Sequence, residues 1–547
     1  MKIRPVFLWL LLPLVFVVLA GCPDTVADSA DDGKTELPPP PEAELFANLT
    51  LSRAYKGFND GNPIMTQEFG ADPNVLVWDN RLYVFMTADA LLFDANGNIR
   101  AEDYGTIRSL RVLSSGDLVN WTHHPDIQVA GPGGVGHPWA INSWAPALAA
   151  REVDGRMQVF LYFANGAPSV GVIAADHPLG PWRSPRTSPI VNSATPGVHN
   201  VPGWPNTVWI FDPAVLVDDD GRAFLYFGGG TPPGGSAADF TSNHPWPNTK
   251  RVIELAPDMV NVVGEAVPLR IPFSFEAIEI NRIGDIYVLS YSSNPQVGHF
   301  ATRPDEFPYA AKIGSSFGIA YMTGDNPMGP FEFRGLVLPN PAEMFGLPHF
   351  NNNHHRMFEF RGIWYIAYHS KLLQAAKGVN LEFNYRSIHI DYVNIHRDGR
   401  IDVVEGTRRG VAQSGRFNPF QMTDAATMAI MAGISTREYE REGSAWNHMK
   451  ITDIDSGDWV ALRGVDFGDR GSGQFFARVN PPETGMGVIQ IRVGQGLGGR
   501  AAGYVILEPG KTDYTIDLLR TVSGVQDVVF VFYGEGWDFK EWRFIPR

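Results

Sequence analysis

Residues 71–89 read ADPNVLVWDNRLYVFMTAD, and residues 211–229 read FDPAVLVDDDGRAFLYFGG. Each stretch has a polar residue at its head, an apolar strand, a tight polar turn and an aromatic-rich second strand. That is the pattern of a β-hairpin with buried strands. The same design returns in FEAIEINRIGDIYVLSYSS (275–293) and NHHRMFEFRGIWYIAYHS (353–370), and more loosely in WAPALAAREVDGRMQVFLYFAN (144–165). The head residues are Asp72, Asp212, Glu276 and His354, and the aromatics opening the second strands, Tyr83, Phe224, Tyr287 and Tyr365, follow eleven or twelve positions later. Five units about seventy residues apart, each longer than a minimal four-stranded blade, predict an all-β, five-bladed β-propeller with inserted loops. DHPLGPWRSP (from Asp176), DNPMGPFEFRG (from Asp325) and SSGDLVNWTHH (from Ser114) read as turns of outer strands.

In such an arrangement the innermost strands line one axis, so head residues distant in sequence converge. Asp72, Asp212 and Glu276 then bring three carboxyl groups together. Glycosidic hydrolysis needs two: one protonated to release the leaving oxygen, one ionised to activate water or attack. A third nearby raises the acid's pKa by like-charge repulsion. Glu279, three residues past Glu276, is expected on the opposite, solvent-facing side of its strand. Trp144, in Ser-Trp-Ala-Pro, is a candidate to floor the pocket by stacking on a sugar face.

Composition sets the frame. A chain of 547 residues exceeds one ordinary core. Charged residues at 19% and hydrophobic ones at 44% exclude a disordered chain. With 57 Gly, 42 Pro and 12% aromatics, short strands and tight turns are favoured over long helices. The net charge of −15 repels nucleic acid and suits a neutral polymer as substrate. The single cysteine, Cys22, excludes an intramolecular disulfide. It follows Lys2 and Arg4, an apolar run from Val6 to Ala20, and Gly21. Leu19-Ala20-Gly21-Cys22 resembles a bacterial lipobox, which implies a signal peptide over 1–22, a lipid on Cys22, membrane attachment and a place in the cell envelope. Residues 23–44, with Pro38 to Pro41, read as a semi-rigid tether. The expected domains are 45–410 for the propeller and 411–547 for a β-sandwich.

Taken together, GNPIMTQEFGADPNVLVWDNRLYVF, SWAP, DLVNW, IFDPAVLVDDDGRAFLYFGGG, the Phe-Glu-Ala around Glu276, NNHH and YRSIHIDYVNIHRDGRI resemble glycoside hydrolase family 43 from about residue 60 to 405. The resemblance implies a five-bladed propeller and inversion of configuration, with Asp72 as general base, Asp212 as the carboxylate that tunes and orients the acid, and Glu276 as general acid. It aligns Arg386, in Tyr-Arg-Ser, with an arginine reaching the sugar. His354 aligns with an axial histidine near a bound calcium, often through water. It therefore implies a structural Ca2+ on the axis and no cofactor for the chemistry. The NNHH–YRS variant resembles the branch that removes α-L-arabinofuranosyl or β-D-xylosyl units from plant cell-wall arabinoxylan. An endo-arabinanase and a non-catalytic glycan-binding lipoprotein are the alternatives. The segment from Asn294 to Gly318 is expected to rim the pocket.

GDWVALRGVDFGDRGSGQFFARV, VIQIRVG and VVFVFYGEGWDFKEWRFIPR alternate as sandwich strands, and their order resembles carbohydrate-binding module family 6. The chain departs from that family at several places. Asp424-Ala425-Ala426 stands where the family has Glu-Ala-Glu near a structural calcium. Asp453 and Lys511 stand where it has two sugar-stacking aromatics, and Asp538 where it has Asn. A stacking cleft is therefore not expected here; Trp446, Trp537 and Tyr533 are candidates for another site.

Overall fold

The computed structural model describes residues 41–199, 208–230, 246–348 and 352–547. Cys22 and the residues around it, together with most of the proline-rich tether, lie outside the described residues. A short helix, Glu42–Ala47, forms a unit by itself, and residues 48–547 form the other. Among the described residues, no helix is long and apolar enough to cross a membrane.

The second unit is all-β apart from helices of one or two turns. Five antiparallel sheets follow one another in chain order, opened by Ala71–Trp78, Trp144–Val153, Ala214–Val217, Ser274–Ile283 and His355–Phe360. Each opening strand pairs with the strand that follows it. Four of these turns hold two residues between paired ends: Gly284-Asp285 and a set of three, Asp79-Asn80, Asp154-Gly155 and Arg361-Gly362. Both residues have positive φ in all three. That is the primed turn whose twist matches a hairpin, which explains the Asp, Asn and Gly at these points.

Second and third strands such as Ser169–Ala175 and Ala223–Gly228 are buried along their whole length. Their sheets are covered on both faces, so they carry continuous apolar runs instead of alternation. Tyr83 and Phe85 of the first sheet pack with Leu148 and Leu161 of the second. Tyr162 packs with Leu225, Phe224 with Leu289, and Tyr321 with Tyr368, joining each sheet to the next. A further core places Val84 of the first sheet against Phe358 and Tyr365 of the fifth. The segment before the first sheet is bound to the last: Ile64 N donates to Ile388 O (2.9 Å) and Gly70 N to Arg386 O (2.8 Å).

Residues 430–546 build two facing sheets of a sandwich around Phe475, Phe530, Trp542 and Phe544. Before entering it, Thr427–Met428 pairs with Trp121 and Thr122 as a fifth strand of the first sheet. Residues on the sandwich side of the expected boundary thus cover an otherwise open edge.

Candidate active site

Three of the sequence candidates stand where opening strands begin. Asp72 (φ 52°) and Asp212 (φ 48°) adopt the left-handed conformation, as do Ala145 (φ 37°) and Ala277 (φ 53°) at the same point of their sheets. Asp tolerates this region better than most side chains. The backbone equivalent of Asp72 and Asp212 in the fourth sheet is therefore Ala277. The repeat aligns Glu276 with those heads, but it stands one residue before the equivalent backbone position, on a strand whose register shifts on both sides of it.

Asp72 is 7% exposed and Asp212 5%. Asp72 Oδ1 meets Arg386 Nη1 (3.1 Å) and His354 Nδ1 (3.3 Å). Its Oδ2 accepts from Thr87 Oγ1 (2.7 Å), and that hydroxyl in turn accepts from Ala145 N (2.8 Å). A carboxylate offers about four lone-pair sites. Three are engaged, so Oδ2 retains one for a water. The Asp72 amide donates to His369 Nδ1 (3.0 Å), which fixes that ring as a neutral acceptor; its Nε2 lies 3.1 Å from Asn352 Oδ1. Burial holds His369 down to about 4, in keeping with a neutral ring.

Burial alone would raise the Asp72 carboxyl, but the charge of Arg386 and the contact with His354 hold it well below the usual carboxylate range. Glu276 is driven the other way, up to about 8, by burial first and then by the charges of Asp212 and Asp72. Asp212 is raised by burial and by Asp72, with His354 and Lys250 opposing. Its Oδ2 accepts from Ala277 N (3.1 Å), tying it to the residue after Glu276. His354 is lifted to about 9: burial opposes its charge, but Asp72, Asp212 and Glu276 together outweigh burial. The cluster thus keeps one carboxylate ionised and one carboxyl protonated near neutral pH, the division of labour that acid–base hydrolysis needs.

Arg386 is buried (3% exposed) and held by Asp89. Its Nε and Nη2 each donate across 2.8 Å in a bidentate pair, and its amide also donates to Asp89 (3.1 Å). One Nη1 remains for Asp72. The Tyr104 ring lies 5.3 Å from the guanidinium. Trp144 meets Tyr104 edge-on at 6.3 Å and donates from Nε1 to the Tyr104 carbonyl (2.8 Å). Trp209, 38% exposed, stands edge-on to Phe211 (5.7 Å) and Phe275 (6.4 Å), and Phe317, from the end of the expected rim segment, meets Phe275 at 5.7 Å.

Residues 61–401 match Glycosyl hydrolases family 43, and residues 424–546 match Carbohydrate binding module (family 6). The chain belongs to glycosyl hydrolase family 43. It is a glycosidase with an appended family 6 module. It is 37% identical over 501 residues to an arabinoxylan arabinofuranohydrolase of Paenibacillus polymyxa, covering 89% of this chain and 75% of that protein. A second, from Bacillus subtilis (strain 168), is 36% identical over 515 residues, covering 91% and 95%. A crystal structure of a family 43 arabinoxylan arabinofuranohydrolase from Bacillus subtilis, in complex with cellotetraose, superposes with a TM-score of 0.80 at 35% identity, covering 91% of this chain and 99% of that one.

Several residues of this cluster carry no signal in the sequence. Thr87, Asp89, Tyr104, Lys250 and His369 lie in strands and loops with no motif of their own, and only the paired sheets bring them together. Glu279 was expected to face solvent. It is instead 1% exposed, accepts from Asn74 Nδ2 (2.9 Å) and pairs with Arg356. Strand alternation misplaces it because both faces of its strand are covered and the register shifts between Glu276 and Glu279.

His354 is the residue that the resemblance sets near a calcium. Its Nδ1 faces Asp72, and a hard cation asks for oxygen ligands, so one imidazole is a weak claim on calcium. Among the described residues, no group of three or more His, Cys, Asp or Glu is arranged to hold a metal. A glycosidase needs only its carboxyl groups and a water.

In the module, Trp537 is 3% exposed and packs edge-on against Phe532 (5.5 Å), so it is core. Trp446 stacks on His177 of the second sheet at 4.5 Å, nearly parallel at 6°. Asp453 and Asp538 line a hollow of about 670 Å³ with Asp455, Glu483 and Glu535. Its one aromatic, Trp537, is buried.

Proposed function

We propose that the five sheets are the blades of one propeller, and that their convergent carboxyl groups remove α-L-arabinofuranosyl side units from arabinoxylan, one at a time, with inversion. The blade reading draws on the sequence repeat and on cores that join each sheet to the next and the fifth to the first. The substrate reading draws on the two arabinoxylan arabinofuranohydrolases that share most of this chain's length.

Glu276 donates its proton to the glycosidic oxygen as the bond to the anomeric carbon breaks. A water on the opposite face, held by the spare lone pair of Asp72 Oδ2, attacks that carbon and gives its proton to Asp72. The charge of Asp212 keeps Glu276 protonated until the sugar binds. Arg386, fixed by Asp89, orients the base and offers a cation beside the sugar. Trp144 and Trp209 offer apolar faces at the mouth.

The observation that carries this reading is the opposed pair, Asp72 held far down and Glu276 pushed up to about 8, within one buried cluster. The test is incubation with arabinoxylan, arabinofuranosyl and xylosyl aryl glycosides, with the product anomer followed by NMR in the first turnovers. Free arabinose with inverted configuration is expected, with loss in Asp72→Asn and Glu276→Gln. Retention, release of oligomers, or turnover of xylosides alone would overturn it.

A further inference from the structure

Lys250 opens the strand Lys250–Leu255, the third of its sheet, and its side chain is fully buried. No motif marks it, and neither the repeat nor the family resemblance singles it out. Its position follows from strand register. Gly228 N donates to Phe211 O (2.9 Å), which sets Gly228 beside the head of the opening strand, where Asp212 sits. Gly228 also pairs directly with Lys250. Asp212, Gly228 and Lys250 thus form one row across three strands. Neighbours across a row share a face, so the lysine points to the Asp212 side. Arg251 points to the other face, donating to the carbonyls of Gly197, Val198 and Asn248.

The middle of the row is glycine, and the lysine passes over it. Lys250 Nζ donates to Gly228 O (2.6 Å). A Cβ on Gly229, the next residue, would lie 3.2 Å from that Nζ and collide with Phe275 O at 2.2 Å. The ammonium therefore sits over the Gly228-Gly229 backbone, beside the residue that precedes Glu276. It has three donors, and Gly228 O uses one.

We propose that Lys250 is a positioning residue of the active site, a buried cation laid across two glycines to hold the Asp212 carboxylate ionised and aimed at the general acid Glu276. Charge supports it. With Glu276 protonated, the buried anions are Asp72, Asp89 and Asp212, and the buried cations are Arg386, His354 and Lys250. Arg386 is spent on Asp89 and Asp72, and His354 lies against Asp72. Without Lys250, the one cation left acting on Asp212 among the described residues is the shared His354. Burial pulls Lys250 down to about 8, with the charges of Asp212 and Glu276 opposing it, and the charged groups acting on Glu276 are Asp212, His354, Asp72 and Lys250.

This inference rests on the roles given above to Asp212 and Glu276, so its test carries a control for them. The pH profiles of kcat/KM for Lys250→Met, Lys250→Arg and Glu276→Gln are compared with the wild type, with thermal unfolding recorded for each. Loss of the cation is expected to move both limbs to higher pH by about one unit, the acid limb because Asp212 then ionises at higher pH and the alkaline limb because Glu276 does. Lys250→Arg keeps them in place. Should Lys250→Met fail to fold, Lys250→Gln at the same position is read instead. Unmoved limbs in a folded neutral variant, or an Arg variant displaced as far as the neutral one, overturn the proposal. A Glu276→Gln variant that retains the alkaline limb overturns the acid assignment itself, which separates the two failures.

Discussion

At the scale of single residues, the site works by setting neighbouring groups to opposite charge states. With Glu276 as the proposed acid, which must carry its proton, the rate should fall as pH rises through about 8. Glu276→Gln should lose that limb and about 10²–10⁴-fold in rate on substrates with poor leaving groups, and less on activated aryl glycosides. His354 gives a stability signature with a definite sign. Its folded value of about 9 lies above the unfolded value of about 6.5. Its contribution is fully present below that unfolded value and is lost as pH rises through about 9. Glu276, also raised, acts in the same direction. The change in unfolding free energy between pH 6 and pH 9, measured in urea, should therefore be less unfavourable in His354→Gln than in the wild type. An unchanged slope in that variant would remove His354 from the cluster. Asp89 is fully buried, and it fixes the Nε–Nη2 edge of the Arg386 guanidinium. Asp89→Asn keeps the shape but weakens the charge-assisted pair. A loss of about tenfold or more in kcat/KM is expected from misplacing a group by an ångström, with far-UV circular dichroism unchanged.

At the scale of elements, legibility follows periodicity. Asp72 and Asp212 were readable because an Asp-Pro opens a strand of fixed length before a fixed turn. Glu276 was readable as chemistry, though its true register is one residue off, since bulges leave no compositional trace. Lys250, Asp89 and His369 were illegible because their places depend on which strands pair. Glu279 shows the same limit in reverse. A period of two assigns faces correctly but does not say that both are buried. Its pairing with Arg356, together with the hydrogen bond from Asn74, joins the opening strands of the first, fourth and fifth sheets. Removing one partner of a buried ion pair leaves a stranded charge, worth about 3–5 kcal/mol. Arg356→Met should destabilise by about that much in denaturant titration. The double change with Glu279→Gln should cost less than Arg356→Met alone, because it strands no charge. A double variant worse than the single would show that the pair is not the link.

At the scale of the whole molecule, the family 6 module is built into the catalytic domain. The sequence placed a boundary at 410, where the strand pattern changes character, but no local pattern tells that Thr427–Met428 joins the first sheet. Around that strand the partners are specific. Asn120 and Arg463 exchange two hydrogen bonds of 2.8 Å, Gln413 donates to Asp117 (2.9 Å), and His123 meets Thr436 (2.9 Å). Asn120, Trp121 and His123 are at most 3% exposed with the module in place. A chain ending at 410 would bare these groups and the open edge of Trp121–Gln128 in one step. Unpaired strand edges with apolar flanks recruit other chains. Such a truncation should therefore lower the melting temperature and move the protein into aggregates by analytical ultracentrifugation, before any question of glycan binding arises. Trp446→Ala, which only unstacks the ring from His177, should destabilise mildly and leave affinity for insoluble xylan unchanged. A truncated chain that stays monomeric with an unaltered melting temperature would show the module to be a separate appendage. A Trp446→Ala protein that releases xylan would restore that ring to sugar binding.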